Sequence, residues 1–349
     1  MKVLIVGPRW IGEWVQGVQR AALNLNVTPV VFYYDTPFAM TVERTINRVN
    51  RLAKVRLMKM VLPGALMVSR AWEDQMNRRL VYLCRRTNPD VVILLKGETI
   101  KAKTLEAIRF SNRHLISWWF DNPLQYEEVK IQLEFLTAIF VFDRYYFGPL
   151  KDCGARRIEY LPCAFDPALH RPQIVDRSTR DRLECTVGFV GSFYPERGRL
   201  LEAMQGLEVG IWGWDWEYSR ELKSFPERTW RAKSLAANEA AKVYQLAQIC
   251  PNLHHSQTRD GGLNTRTFEI PASGGFELVD QPAGMDEHFE IGKELITFSS
   301  PEHFRELTDY YLAHPEQRQE IVEHGRSRVL RDHTYQKRLE QIFERLDGI

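Results

Sequence analysis

No run of about 18 apolar residues occurs in this 349-residue chain, so its sequence predicts no membrane-spanning helix. The apolar stretch after Met1-Lys2 is only about five residues long, too short for the core of a secretory signal. Cysteine is sparse: Cys84, Cys153, Cys163, Cys185 and Cys250 are odd in number and include no C-x-x-C pair. That argues against a disulfide framework or a zinc site, and predicts buried free thiols in a reducing, cytoplasmic setting. Asp-x-Asp never occurs, so no ligand pair for a metal-bridged diphosphate is visible. Neither Gly-Lys-Ser/Thr nor G-x-G-x-x-G is present. Gly7-Pro-Arg-Trp-Ile-Gly12 imitates a dinucleotide loop, but Pro8 disfavours a close approach of pyrophosphate. A one-sided charge is lacking too. With 47 Lys and Arg against 45 Asp and Glu, the formal charge is +2, far from the dense basic face of a nucleic-acid binder. A small anionic ligand met by a few local arginines fits that balance better.

What is present is a soluble composition, 44% hydrophobic and 26% charged, in a chain long enough for two domains. Short β-rich runs alternate with helical stretches in both halves, which predicts parallel α/β sheets. In the first half, strands are predicted at 2–6, 29–34, 91–95, 115–120 and 138–142, with a short run at 157–161 before Pro162-Cys-Ala-Phe-Asp-Pro167. Residues 41–87 read as long, charged and helical. After a polar stretch at 170–184 the alternation restarts, with strands at 186–190, 208–212, 248–250, 276–279 and 295–298. A helix over 234–248 takes Asn238 as its N-cap candidate. The last helix shows Leu339, Ile342, Phe343 and Leu346 on one face. The expected architecture is α/β, two Rossmann-like domains facing a cleft. The first spans 1–168 and the second 169–330, and a C-terminal helix, 331–349, crosses back to the first. Ligands of open α/β sheets bind outside the carboxyl ends of the strands.

Three constellations can carry chemistry. In Asn264-Thr-Arg-Thr-Phe-Glu-Ile-Pro-Ala-Ser-Gly-Gly275, Asn264 can cap a short helix and Gly274 can end it in a left-handed conformation. Arg266 and Glu269 then share a face, a guanidinium suited to phosphate and a carboxylate suited to vicinal hydroxyls. The plain alternative is an i, i+3 salt bridge on a surface helix. Pro271 keeps that helix short or distorted. In Val187-Gly-Phe-Val-Gly-Ser-Phe-Tyr-Pro-Glu-Arg197, a strand ends in Gly-Ser, and Ser192 with Arg197 and Arg199 at the following helix start suits a diphosphate. The plain alternative is a turn. In Ser117-Trp-Trp-Phe-Asp121-Asn-Pro123, Asp121 follows a strand end and is either a base or a turn cap. Trp118, Trp119, Trp212, Trp214 and Trp216 read chiefly as packing. His254 and His255 lack carboxylate or cysteine partners at ligand spacing, so no metal site is expected there.

These segments resemble the CgeB-like (spore maturation protein type) glycosyltransferases. The resemblance rests on Asn264-x-Arg266-x-Phe268-Glu269-Ile-Pro-Ala-Ser-Gly-Gly-Phe276, on Val187–Arg197, and on His333-Thr334-Tyr335 with Arg338. In the first half it rests on Pro89–Gly97 and Trp119-Phe-Asp121-Asn-Pro123. It implies a GT-B enzyme of hexosyltransferase type whose second domain holds a nucleotide-sugar donor and whose first meets the acceptor. Glu269 would hold the donor ribose, and Arg197 and Arg266 the phosphates. The wider retaining GT-B pattern has two glutamates eight positions apart. Glu269 matches the second, but Gly261 stands where the first would be, so no stereochemical outcome is implied.

The predicted donor-binding set is therefore Ser192, Arg197, Asn264, Arg266, Glu269 and the Gly274-Gly275 backbone, with Asp121 as the acceptor-side catalytic carboxylate. Glu13, Glu98 and His114 are next in line for the base. No metal and no cofactor beyond the donor substrate are expected, and the acceptor is a carbohydrate, glycolipid or protein. The rival readings are a nucleotide-sugar 2-epimerase of the same architecture and a GT-B-like binding scaffold without turnover.

Overall fold

The computed structural model describes residues 1–35, 62–109 and 114–346. It divides into two compact units, one formed by Met1–Leu161 with Leu339–Ile349, the other by Pro162–Arg338.

In the first unit the strands are Lys2–Gly7 (β1), Thr28–Tyr33 (β2), Val91–Leu95 (β3), His114–Trp119 (β4), Ala138–Val141 (β5) and Ile158–Tyr160 (β6). All pair in parallel, in the order β2-β1-β3-β4-β5-β6. A parallel sheet covered on both faces demands apolar strands without alternation, and β3 (Val-Val-Ile-Leu-Leu) is buried at every position. Helix α1 (Gly12–Asn24) buries Trp14, Val15, Val18, Ala21 and Ala22, one stripe at helical spacing. Its chain then turns through Asn26 in the left-handed region. Helix α2 (Leu62–Thr87) buries Met76, Leu80 and Cys84, each four residues apart. The rest of the predicted helical stretch at 41–87 lies outside the described residues. Helices α3 (Ala102–Ile108), α4 (Glu127–Gln132) and α5 (Phe147–Asp152) complete the unit's connections.

The second unit opens with α6 (Arg177–Leu183) and β7 (Val187–Val190), followed by α7 (Pro195–Glu202), β8 (Val209–Trp212) and β9 (Trp230–Ala232). Next come α8 (Ala237–Leu246), β10 (Cys250–Asn252), α9 (Arg266–Ala272), β11 (Glu277–Asp280) and β12 (Ile296–Phe298). Two parallel three-stranded ladders, β7-β8-β9 and β10-β11-β12, meet at a bridge between Val187 and Ile249. There Gly188 donates its N–H to Ile249 O at 2.9 Å, and Ile249 donates to Thr186 O at 2.9 Å. The order across the unit is thus β9-β8-β7-β10-β11-β12. The winding direction reverses between β7 and β10, and such a reversal leaves a crevice at the carboxyl ends of those strands.

Two local expectations need correction, and one strand is not among those expected. Strand β9, Trp-Arg-Ala, is too short to give a period. The central strand β10 runs over Cys250–Asn252 rather than 248–250. Helix α8 begins at Ala237 behind Ala236, so Asn238 lies inside it and caps nothing. Four of the cysteines are buried and free, whereas Cys153 is exposed.

After α10 (Pro301–Ala313) and α11 (Pro315–Asp332), the last helix α12 (Tyr335–Leu346) changes unit part-way. Leu339, Ile342 and Leu346 are buried, and Arg345 donates to Tyr160 O at 2.8 Å. Arg338, fully enclosed, donates to Pro162 O at 2.9 Å, Cys163 O at 3.0 Å and Asp332 O at 2.9 Å. The His333-Thr-Tyr…Arg338 motif is therefore architectural: it fastens the chain at the point where it leaves the second unit.

Candidate functional site

At the reversal between β7 and β10 two arginines span the carboxyl ends of the strands. Arg266, the first residue of α9, donates from Nη1 to Val190 O at 3.0 Å and from Nε to Asn252 Oδ1 at 3.3 Å. Gly191 makes this possible, because a Cβ there would run into Nη1 of Arg266. Arg197, on the first turn of α7 and 5% exposed, donates to Ser192 O at 2.9 Å and to Leu253 O at 3.2 Å. Each guanidinium is thus held by neutral oxygens, and neither forms an ion pair with a carboxylate among the described residues. Burial, and then the charge of Arg266, push the Arg197 guanidinium down to about 9. Two like charges in a partly dry crevice are costly unless an anion meets them, and a bound phosphate would relieve both burial and repulsion.

The other predicted residues separate into two groups. Glu269 does not pair with Arg266, so the i, i+3 salt bridge is absent: the arginine turns to the strand ends, and no group among the described residues holds the Glu269 carboxylate. Ser192 keeps its hydroxyl unengaged among the described residues while its carbonyl accepts from Arg197. Asn264 accepts from the Thr267 N–H at 3.3 Å, thereby capping α9, and donates to Asn252 Oδ1 at 2.8 Å. Gly274 and Gly275 are a correction. Their N–H groups go to Pro271 O and Ile270 O at 3.0 Å each, closing the helix C-terminus, with Gly274 at φ +81°. They precede β11 and so lie at the amino edge of the sheet, away from the arginines. They shape the helix end and have no amide to offer a diphosphate.

Two features escaped the sequence reading. His254 Nδ1 lies 2.7 Å from Asp280 Oδ1, its Nε2 is 3.3 Å from Thr267 Oγ1, and its backbone N–H also meets Asp280. The partner is a carboxylate 26 residues away on β11, which no local spacing could show. Among the described residues no group of three or more His, Cys, Asp or Glu is placed to hold a metal ion. Beneath this pair Glu277, 3% exposed, accepts from Asn252 Nδ2 at 2.7 Å, and its Oε2 has no partner. Asn252 thereby links Glu277 to Arg266. Burial pushes the Glu277 carboxyl up to about 8, against the pull of Asn252 and Arg266. The folded state therefore holds this proton where the unfolded chain has released it. Its contribution to stability is complete below pH about 4.5 and declines as pH rises to about 8. Glu277→Gln keeps the acceptor for Asn252 and should flatten that decline, gaining about 2–4 kcal/mol relative to the parent at pH 8–9. Denaturant unfolding at pH 5 and pH 9 checks this, and equal pH slopes for both proteins would refute it.

The first unit carries a second cluster, at the carboxyl ends of β3 and β4. Lys96, 4% exposed, donates from Nζ to Asp121 Oδ2 at 2.6 Å, while Asp121 Oδ1 is buried without a partner among the described residues. The indoles of Trp10 and Trp119 and the Tyr126 ring surround Nζ at 5.0, 5.8 and 5.6 Å. Tyr34 donates its hydroxyl to Glu98 Oε2 at 2.7 Å. Burial pushes the Asp121 carboxyl up, and Lys96 offsets only part of that. Burial likewise raises Glu98. Burial alone would depress the Lys96 ammonium, but Asp121 and Glu98 carry it above its ordinary value. Asp121 is therefore no turn cap. That task falls to Asn122, whose Oδ1 accepts from Leu124 N–H at 2.9 Å. Of the reserve bases, Glu98 joins this cluster, and Glu13 sits in the first turn of α1. His114 opens β4 and so lies at the opposite edge of the sheet from Asp121. Trp118, Trp119, Trp212 and Trp216 are buried packing, whereas Trp214 is 46% exposed. In the loop after β1, Asp35 accepts from the N–H groups of both Arg9 and Trp10. Two of the amides a dinucleotide loop would offer to pyrophosphate are thus already engaged.

Residues 197–344 match the family described as glycosyl transferase-like. The spore protein CgeB of Bacillus subtilis (strain 168) is 22% identical over 253 residues, 67% of this chain and 75% of that protein. Over its full length the chain also superposes on HepE of Anabaena, solved in complex with UDP, with a TM-score of 0.63 at 12% identity and complete coverage of both chains. Sucrose-phosphate synthase from Thermosynechococcus elongatus gives 0.63 at 11% identity, covering 100% of this chain and 99% of that one. The chain is thus similar in sequence to CgeB and shares the GT-B fold of the solved structures. The glycosyl transferase-like match begins at Arg197 and takes in Arg266 and Glu269, while Lys96 and Asp121 lie before it.

Proposed function

We propose that the protein transfers a sugar, a hexose in the simplest case, from a nucleoside-diphosphate sugar to an acceptor hydroxyl without a metal ion. The observation that carries this reading is the pair Arg197 and Arg266, bridging β7 and β10 at the sheet reversal with no carboxylate of their own. They would take the diphosphate, with the Ser192 hydroxyl beside them, and Glu269, unheld among the described residues, would take the ribose hydroxyls. The acceptor oxygen forms a bond to the anomeric carbon while the bond from that carbon to the diphosphate oxygen breaks. The electron pair leaves with the nucleoside diphosphate, and the hydroxyl proton passes to Asp121. In this scheme the guanidiniums neutralise the leaving group, the role a divalent cation fills elsewhere. The acceptor is a carbohydrate, a glycolipid or a protein. No helix among the described residues is long and apolar enough to cross a membrane, and we place the reaction in the cytoplasm.

UDP-glucose is the first donor to try, because HepE was also solved in complex with it. Release of UDP should persist at full rate in excess chelator. Loss of activity that manganese restores would contradict the role given to the arginines.

A further inference from the structure

Lys96 has no part in that scheme, yet the fold makes an unusual provision for it. The chain leaves β3 through Lys96 at φ +68° and Gly97 at φ +90°. The left-handed region is sparsely occupied by residues with a Cβ, and a lysine there is maintained only by its surroundings. The long side chain is almost wholly enclosed, and its ammonium lies inside a ring of Trp10, Trp119 and Tyr126. Enclosing a charge in this way is costly unless it is paired, and Asp121 Oδ2 supplies the pair at 2.6 Å. One carboxylate oxygen is thereby committed. The other, Oδ1, is buried and has no hydrogen-bond partner among the described residues. An oxygen left in that state marks where a ligand donor would be received.

We infer that Lys96 is the positioning residue of the acceptor-side carboxylate: it holds Asp121 ionised through Oδ2 and leaves Oδ1 to receive the proton of the acceptor hydroxyl. This inference rests on the proposed glycosyl transfer. Among the described residues, the charged and titratable groups facing Asp121 are Lys96 and Glu98 from the end of β3 and Tyr126 from the loop before α4, and Glu98 in turn accepts from the Tyr34 hydroxyl. Among the described residues facing Asp121, Lys96 is the one that carries positive charge, so it is the group that offsets the effect of burial on the carboxyl. Without it, Asp121 stays protonated to higher pH and cannot accept a proton there.

The test compares Lys96→Met, which keeps the volume and removes the charge, with Lys96→Arg, which keeps the charge. Carboxyl-13C aspartate NMR, with the Asp121 signal identified by its loss in Asp121→Asn, reads the titration directly and needs no substrate. In Lys96→Met the Asp121 midpoint should move up by about 1–3 pH units, the size of effect a close cation exerts. In Lys96→Arg it should stay near that of the parent. The acid limb of UDP release from UDP-glucose should move by the same amount in Lys96→Met. Turnover should then be regained in alkali, which Asp121→Asn cannot do. An Asp121 midpoint unchanged in folded Lys96→Met, or a loss of turnover equal at all pH values, overturns the inference. A parent protein that releases no nucleoside diphosphate from any nucleotide sugar overturns the proposed reaction instead, and the NMR result still decides the role of Lys96.

Discussion

Asp121→Asn should lower turnover by about 10²–10⁴-fold, the range spanned by losing a positioned general base. The amide preserves the shape and can still accept from Lys96 Nζ, now 2.6 Å from Oδ2. It cannot take up a proton, and that is the only property the substitution is meant to remove. Folding should survive, because the oxygen facing Lys96 remains, although the enclosed ammonium loses its counter-charge. The nucleoside diphosphate should bind as before, since Arg197, Arg266 and Glu269 belong to the second unit. Steady-state assay of UDP release across pH 6–9 is the check. Normal turnover would transfer the base to Glu98, whose carboxyl burial also raises and which shares the cluster.

Arg266→Ala should weaken nucleoside diphosphate binding by about 10- to 150-fold, the equivalent of about 1.5–3 kcal/mol for a charge-assisted phosphate contact. Part of that loss would come from the scaffold, because Arg266 also ties Val190 O to Asn252. Glu269→Ala separates the two contributions. Its carboxylate has no partner among the described residues, so removing it should leave thermal unfolding unchanged while costing comparable affinity. Thermal-shift titration with UDP reads both quantities in one experiment, since a ligand bound only by the folded state raises the melting temperature. Unaltered UDP protection in Glu269→Ala would return Glu269 to the helix surface with no role in the site.

The strands were legible in the sequence because parallel strands buried on both faces leave continuous apolar runs such as 91–95. The short β9, with three residues, leaves no such trace. Arg266 and Glu269 could be singled out from their spacing, but which of two outcomes held depended on Val190 and Asn252. These lie 76 and 14 residues away from Arg266 in sequence. The assignment of Gly274-Gly275 to the diphosphate failed on direction: a glycine pair that ends a helix sits at the far edge of a parallel sheet from residues that start it. In the sequence Lys96 is a single lysine after an apolar run, and nothing local marks it. Its left-handed backbone and its pairing with Asp121, 25 residues on, exist only once β3 and β4 lie side by side. The same holds for Glu277, which reads as an ordinary strand carboxylate until the packing around it removes water.

We propose a division of labour in which the second unit holds the donor and the first receives the proton. Calorimetric titration of UDP into the parent protein and into Arg266→Ala, Glu269→Ala, Asp121→Asn and Lys96→Met is the decisive measurement. UDP should bind the parent and the two first-unit variants with the same affinity, and the two second-unit variants at least about 10-fold more weakly. Affinity lost in Asp121→Asn and kept in Arg266→Ala would contradict it.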